Sequence, residues 1–111
     1  MKLHNAEIPR QKIYDYCLDP DHPGGEHKAR VFKAAPGIDQ ANAQRLIDLL
    51  RESLDVEKAE FVREDGFGKH YRIDHEVVGL NGNEILRSLW AVGGAKQPPR
   101  LVTCFVRRRA K

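Results

Sequence analysis

The stretch PGGEHKARVF, residues 23–32, places His27 and Lys28 in the first turn of an expected helix, directly after a Pro-Gly-Gly turn. The free N–H groups of a helix start already carry positive potential, and Asp or Glu is the favoured residue there. Two cations at this place are each disfavoured by a few tenths to about 1 kcal/mol unless an anion lies opposite. Combined with Arg72 and the hydroxyls of Ser88 and Thr103, they make up the set that metal-free acid–base chemistry on a phosphodiester requires. RNA brings its own nucleophile, the 2'-hydroxyl, so a protein need supply only a base, an acid and cations for the charge that builds on phosphorus. In this scheme the helix start disfavours the imidazolium and keeps His27 available as a general base. Lys28 and Arg72 hold the phosphate, and Ser88 or Thr103 orients it.

Further polar residues are set out by the period of two in HYRIDHEVV, residues 70–78. Tyr71, Ile73 and Val77 take one face of this strand, leaving His70, Arg72 and Asp74 on the other, with His70 expected to touch substrate. His75 falls on the apolar alternation and reads as a satisfied core or edge histidine. In EILRSLWAV, Arg87 shares a side with Ile85 and Leu89 while Ser88 shares one with Leu86 and Trp90, so either residue is compatible with the open face. Arg87 is the second expected substrate contact. Trp90 is expected in the core. Thr103 lies between Val102 and Cys104 as an interior hydroxyl that needs a partner, either a phosphate oxygen or a backbone carbonyl.

Other chemistries lack their usual support. The chain has no GxxxxGK[ST], no GxGxxG after a strand, no HExxH and no GxSxG. His22 and His27, like His70 and His75, are five apart, which is neither helical i,i+4 nor same-face strand spacing, so no metal and no cofactor are expected. Cys17 and Cys104 have no CxxC partner and read as small buried hydrophobes without chemistry.

The elements that must position these residues follow from periodicity. Ile13, Tyr14, Cys17 and Leu18 mark a short helix opened by Pro9 and stopped at Asp19-Pro20. The second helix is EHKARVFKAA, with Lys28, Val31, Phe32 and Ala35 on one stripe. The third runs over 40–54, capped by Asp39 and carrying Ala43, Leu46, Ile47, Leu50 and Leu54 as its core stripe. AEFVRED and GKHYRIDHEVV form a hairpin around Asp65-Gly66. Asn81-Gly82 is the strongest hairpin signal and joins the second strand to EILRSLWAV. RLVTCFVRR is apolar on both alternations, which predicts a place inside the sheet. The expectation is an α+β domain, three N-terminal helices packed on one face of a four-stranded antiparallel sheet, with Phe32, Leu46, Leu50, Ile73, Trp90 and Phe105 buried together.

The 111 residues suit one domain, 1–111, and a composition 41% hydrophobic and 32% charged is that of a globular chain. Charge is uneven: residues 1–62 hold 9 basic and 11 acidic side chains, net −2, and residues 63–111 hold 10 and 5, net +5. A polyanion would meet the second half first. The absence of an apolar run near the roughly 18 residues of a membrane span, and of a hydrophobic stretch in MKLHNAEIPR, predicts a cytoplasmic chain without membrane contact.

The segments AEIPRQKIYDYCL, GEHKARVF, YRID, RSLW and PRLVTCFV, in that order and spread over nearly the whole chain, resemble an uncharacterised family of small bacterial domains associated with toxin-antitoxin-like and polymorphic-toxin loci. Helices followed by a four-stranded antiparallel sheet are in turn similar to the Barnase, EndoU and RelE-like group of metal-independent ribonucleases and toxins. The resemblance implies that His27 and Lys28 are the basic residues of a helix facing the sheet, with Arg72, Ser88 and Thr103 at strand positions facing the cleft. It implies an RNA substrate and a cognate small inhibitor protein. The paired catalytic histidines of the EndoU type have no counterpart at comparable positions. The expected function is therefore a ribonuclease-like toxin domain, with a non-catalytic interaction module, of antitoxin, immunity or nucleic-acid-binding type, as the alternative.

Overall fold

The computed structural model describes residues 6–22, 26–34, 37–56, 59–66, 68–80, 82–93 and 98–107. Pro9 stands at the start of α1 (Arg10–Lys12), which continues without a break as a π-helical turn, Ile13–Cys17. The Leu18 N–H reaches the Ile13 carbonyl at 2.9 Å, the five-residue return of a π turn. The wider turn buries Ile13 and Cys17 and leaves Tyr14 and Tyr16 half-buried. Helix α2 covers Glu26–Ala34, where Ala29 and Phe32 are buried and Val31 half-buried; the expected stripe residue Ala35 lies outside the described residues.

Asp39 caps the third helix as expected, although the first turn, Gln40–Asn42, is 3-10 and α3 proper is Ala43–Val56. The Asp39 carboxylate accepts from the Ala41 N–H at 2.9 Å, and the Asn42 side chain accepts from the Asp39 N–H at 2.8 Å. These reciprocal bonds satisfy donors that the helix start leaves open. Ala43, Leu46, Ile47, Leu50 and Leu54 are all buried, the complete expected stripe.

Four strands follow: β1 (Glu60–Asp65), β2 (Gly68–Gly79), β3 (Gly82–Val92) and β4 (Arg100–Arg107). They pair antiparallel in the order β1-β2-β3-β4, so the protein is α+β, with three helices and one four-stranded sheet among the described residues. Gly79 pairs with Gly82, so Gly82 already belongs to the strand pairing and the hairpin closes one position earlier than the expected Asn81-Gly82 turn. Asn81 itself lies outside the described residues. Gly82 instead opens β3 with φ +121°, a conformation open to glycine.

Ile73 and Val77 from β2, Leu86 and Trp90 from β3, and Leu101, Cys104 and Val106 from β4 join the helix residues Ile13, Cys17, Phe32, Leu46 and Leu50 in one core cluster. Two expectations about β4 need correction. It is an edge strand rather than an interior one, partly covered because Glu7 bridges Arg100 in parallel and because α2 contacts it. Phe105 is only half-buried and outside the core cluster. The register steps between Leu89 and Trp90, so β4 spends Val102 as an extra residue; Cys104 and Val106 then take the core positions, while Phe105 pairs with Arg87. Among the described residues no helix is long and apolar enough to cross a membrane.

Candidate functional site

Directly paired residues of an antiparallel sheet project to the same face. The register therefore sets Arg72, Leu89 and Thr103 in one row, with Asp74, Arg87 and Phe105 in the next. The sheet face away from the core thus gathers two of the five expected catalytic residues, Arg72 and Thr103, with the expected substrate contact Arg87, although they come from three strands. It also decides between Arg87 and Ser88. Arg87 lies on this open face; Ser88 is 1% exposed in the core layer, opposite Ile73. Its hydroxyl accepts a 2.8 Å hydrogen bond from the Trp90 indole N–H. This bond explains why a serine and a tryptophan lie among the buried residues, and the structure does not bring Ser88 to the other candidates.

Lys28 joins the rows from outside, at the edge of β4. Its ammonium donates to the Tyr16 hydroxyl at 2.9 Å and to the Thr103 hydroxyl at 3.0 Å. The same nitrogen lies 4.5 Å from the Tyr16 ring centre and 5.7 Å from that of Phe105, within the reach of cation–π attraction. The His22 ring in turn packs edge-on against Tyr16, with centroids 5.0 Å apart. The backbone of His27 starts the helix as expected, but its side chain lies outside the described residues. Sequence reasoning did not single out Tyr16, and it weighed His22 only against metal spacing. Tyr16 sits one residue off the apolar spacing of the first helix, and only the π turn carries it toward Lys28.

The guanidinium groups have quite different partners. Arg87 binds Asp74 in a two-pronged contact at 2.7 and 2.8 Å, and Arg107 approaches the same carboxylate at 3.6 Å. The Arg87 hydrogen bonds, with the charges of Arg87, Arg107 and Arg72, hold the Asp74 carboxyl below its ordinary range against the opposing effect of burial. Arg72 pairs with Glu60 at 2.6 Å, and His70 contacts Asp65 at 3.0 Å. Each of these expected phosphate or substrate contacts already has a carboxylate. Both described hydrogen-bond partners of Lys28, by contrast, are neutral hydroxyls, so its charge is oriented without being neutralised.

A shallow hollow of roughly 240 Å³ lined by Lys28, Val31, Phe105 and Val106 opens beside the ammonium. A larger one of roughly 500 Å³ lies elsewhere, between Leu18, Pro20, Ala29, Arg30, Lys33 and Asp39. Its size alone does not make it the better site, because Lys28, the residue the two hydroxyls hold, lines the smaller one. Beneath Lys28 lie Cys17 and Cys104, both buried, with their sulfurs 3.6 Å apart. Among the described residues no group of three or more His, Cys, Asp or Glu side chains is arranged to hold a metal.

Residues 2–108 match the model of a domain of unknown function, DUF6883, and the chain belongs to that family. No curated protein and no solved structure matches it.

Proposed function

We propose that this DUF6883 domain binds RNA across the open sheet face and cleaves it without a metal, as a small bacterial toxin-type ribonuclease. The observation that carries this reading is the Lys28 ammonium held between the Tyr16 and Thr103 hydroxyls, a positive charge with neutral described partners at the end of the Arg72 and Arg87 rows. The reading takes the three helices as one layer over the core face, which their shared core cluster supports, so that Lys28 reaches around β4 toward the substrate side.

In the proposed reaction a base removes the 2'-hydroxyl proton, the 2'-oxygen attacks phosphorus, and the bond to the 5'-oxygen breaks as that oxygen is protonated. The products are a 2',3'-cyclic phosphate and a 5'-hydroxyl. Lys28 stabilises the charge on the non-bridging oxygens, Thr103 and Tyr16 hold Lys28 and the phosphate in place, and His27 is the base. Arg72 and Arg87 exchange their carboxylates for neighbouring phosphates, which ties affinity to salt. Ser88 has no part in it.

The test is incubation of the purified domain with cellular RNA in the presence of EDTA. Fragments ending in 2',3'-cyclic phosphate that are lost in Lys28→Met are the expected result; intact RNA under all conditions refutes cleavage. Induced expression should arrest growth in the same Lys28-dependent way, and a cognate inhibitor protein would have to cover this face.

A second reading, a nucleic-acid-binding module without catalysis, is favoured by the carboxylates already engaged with Arg72 and Arg87. RNA retention that depends on Lys28 and Arg87, with no fragment formed, would identify it.

A further inference from the structure

Cys17 closes the π-helical turn and Cys104 lies on β4, 87 positions later, yet the Cys104 thiol donates to the Cys17 sulfur at 3.6 Å. Both cysteines are free, and each is fully buried. Their preceding neighbours, Tyr16 and Thr103, are the two residues that hold Lys28. The sulfur pair and the lysine clamp thus tie the same two elements together at adjacent positions.

We propose that Cys17 and Cys104 are a redox modification site, converted by hydrogen peroxide into a reversible disulfide that locks the π-helical turn to β4. A disulfide bond is about 2.05 Å long, so the sulfurs must approach by about 1.5 Å, a movement on the scale of side-chain rotation. The Cys104 thiol donates to the Cys17 sulfur, which sets the two thiols apart. The hydrogen bond from Cys104 lowers the Cys17 thiol to about 7 against the opposing effect of burial, with the Lys28 charge and Thr103 adding to the lowering. Cys104 is pushed up by that same bond and by burial. Cys17 is therefore the attacking sulfur and Cys104 the resolving one.

In the first step the Cys17 thiolate attacks one peroxide oxygen. The O–O bond breaks and the other oxygen leaves as hydroxide, which takes a proton to become water. This leaves a sulfenic acid on Cys17. In the second step Cys104 attacks that sulfur, the S–S bond forms, and the sulfenic oxygen leaves as a second water with the Cys104 proton. Overall, two thiols and one hydrogen peroxide give one disulfide and two waters. Peroxide is small enough to enter on a local opening of the edge strand, and a dithiol reverses the bond by exchange.

The experiment treats the full chain with millimolar hydrogen peroxide, then unfolds it and counts thiols. The expected result is a fall from two thiols to none in a monomer, a peptide map joining the Cys17 and Cys104 peptides, and a denaturation midpoint raised until dithiothreitol is added. Cys17→Ser and Cys104→Ser should each lose the midpoint shift. Should either variant fail to fold, the wild-type peptide map decides alone. Two titratable thiols after treatment, sulfinic or sulfonic acid on Cys17 beside a free Cys104, or a disulfide between two chains would each overturn the proposal.

Discussion

The Lys28 ammonium lies 3.0 Å from the Thr103 hydroxyl although 75 positions separate them. Lys28 is near the start of α2 and Thr103 is in an edge strand, so the pair exists only where α2 meets β4. Such a contact is a structural tie, and under the proposed function it is also a cation prepared for an anion. The two roles separate on substitution. Lys28→Met keeps the apolar stem and removes the charge. RNA cleavage should slow by about 10²-fold or more. The plot of log affinity against log salt should flatten by about 0.7, the loss of one phosphate contact on a single strand. An unchanged salt slope would mean that Lys28 serves packing alone. Thr103→Val should have the smaller effect of the same sign, because Tyr16 still holds the ammonium.

Asp74 gives the domain an acid-sensitive pair. Its carboxyl is held down chiefly by the Arg87 hydrogen bonds, so the folded state binds the proton more weakly than the unfolded chain does. The resulting stability is complete above the ordinary aspartate value of about 3.9 and is lost as pH falls through the lower folded value. Asp74→Asn should remove that part of the acid dependence in urea titrations at successive pH. At neutral pH the same variant frees Arg87 and Arg107 for phosphate and should bind RNA more tightly than wild type. Weaker binding would argue that the sheet face is not the RNA surface.

Ser88 separates the structural from the catalytic interpretation. Ser88→Ala leaves the buried Trp90 indole N–H without its acceptor, at a cost of about 1–3 kcal/mol in chemical denaturation. Cleavage and RNA affinity measured well below the unfolding transition should not change. A loss of activity at full stability would return Ser88 to the site.

Gly68 opens β2 at φ +114°, and a Cβ built there would collide with the Val92 carbonyl oxygen. Gly68→Ala should therefore cost more than about 1 kcal/mol, through both the backbone conformation and the clash. Equal stability of the two proteins would show that the β2–β3 end is looser than this close approach requires. Gly66, with open space around it, is the matched control and should tolerate alanine.

Much of the fold was legible because neighbouring residues repeat the same information. The α3 stripe from Ala43 to Leu54, the Asp39 cap and the β2 alternation around Ile73 and Val77 each rest on several positions at one period, so a local pattern suffices. The β3 segment was different: Leu86, Ser88 and Trp90 compete with Ile85, Arg87 and Leu89, and both sets mix polar with apolar residues. The strand register decided it, with Ser88 accepting from the buried indole, and such a bond leaves no trace in hydropathy. On β4 the inserted Val102 reverses the alternation downstream, which moved Phe105 off the core and kept Cys104 in it.

The sequence by itself determined the element order, the four antiparallel strands and the polar character of the β2 face, because these depend on interactions between residues a few positions apart. Only the tertiary structure decided which of the candidates meet. Lys28 finds Tyr16 through a π turn, Thr103 through the bulged register of β4, and Cys17 meets Cys104 across 87 positions. Those contacts depend on where whole elements cross, and a crossing is set by the summed shape of the core side chains rather than by spacing along the chain. Arg72 shows the converse: its position was readable from alternation, but its carboxylate partner, Glu60, was chosen by strand pairing.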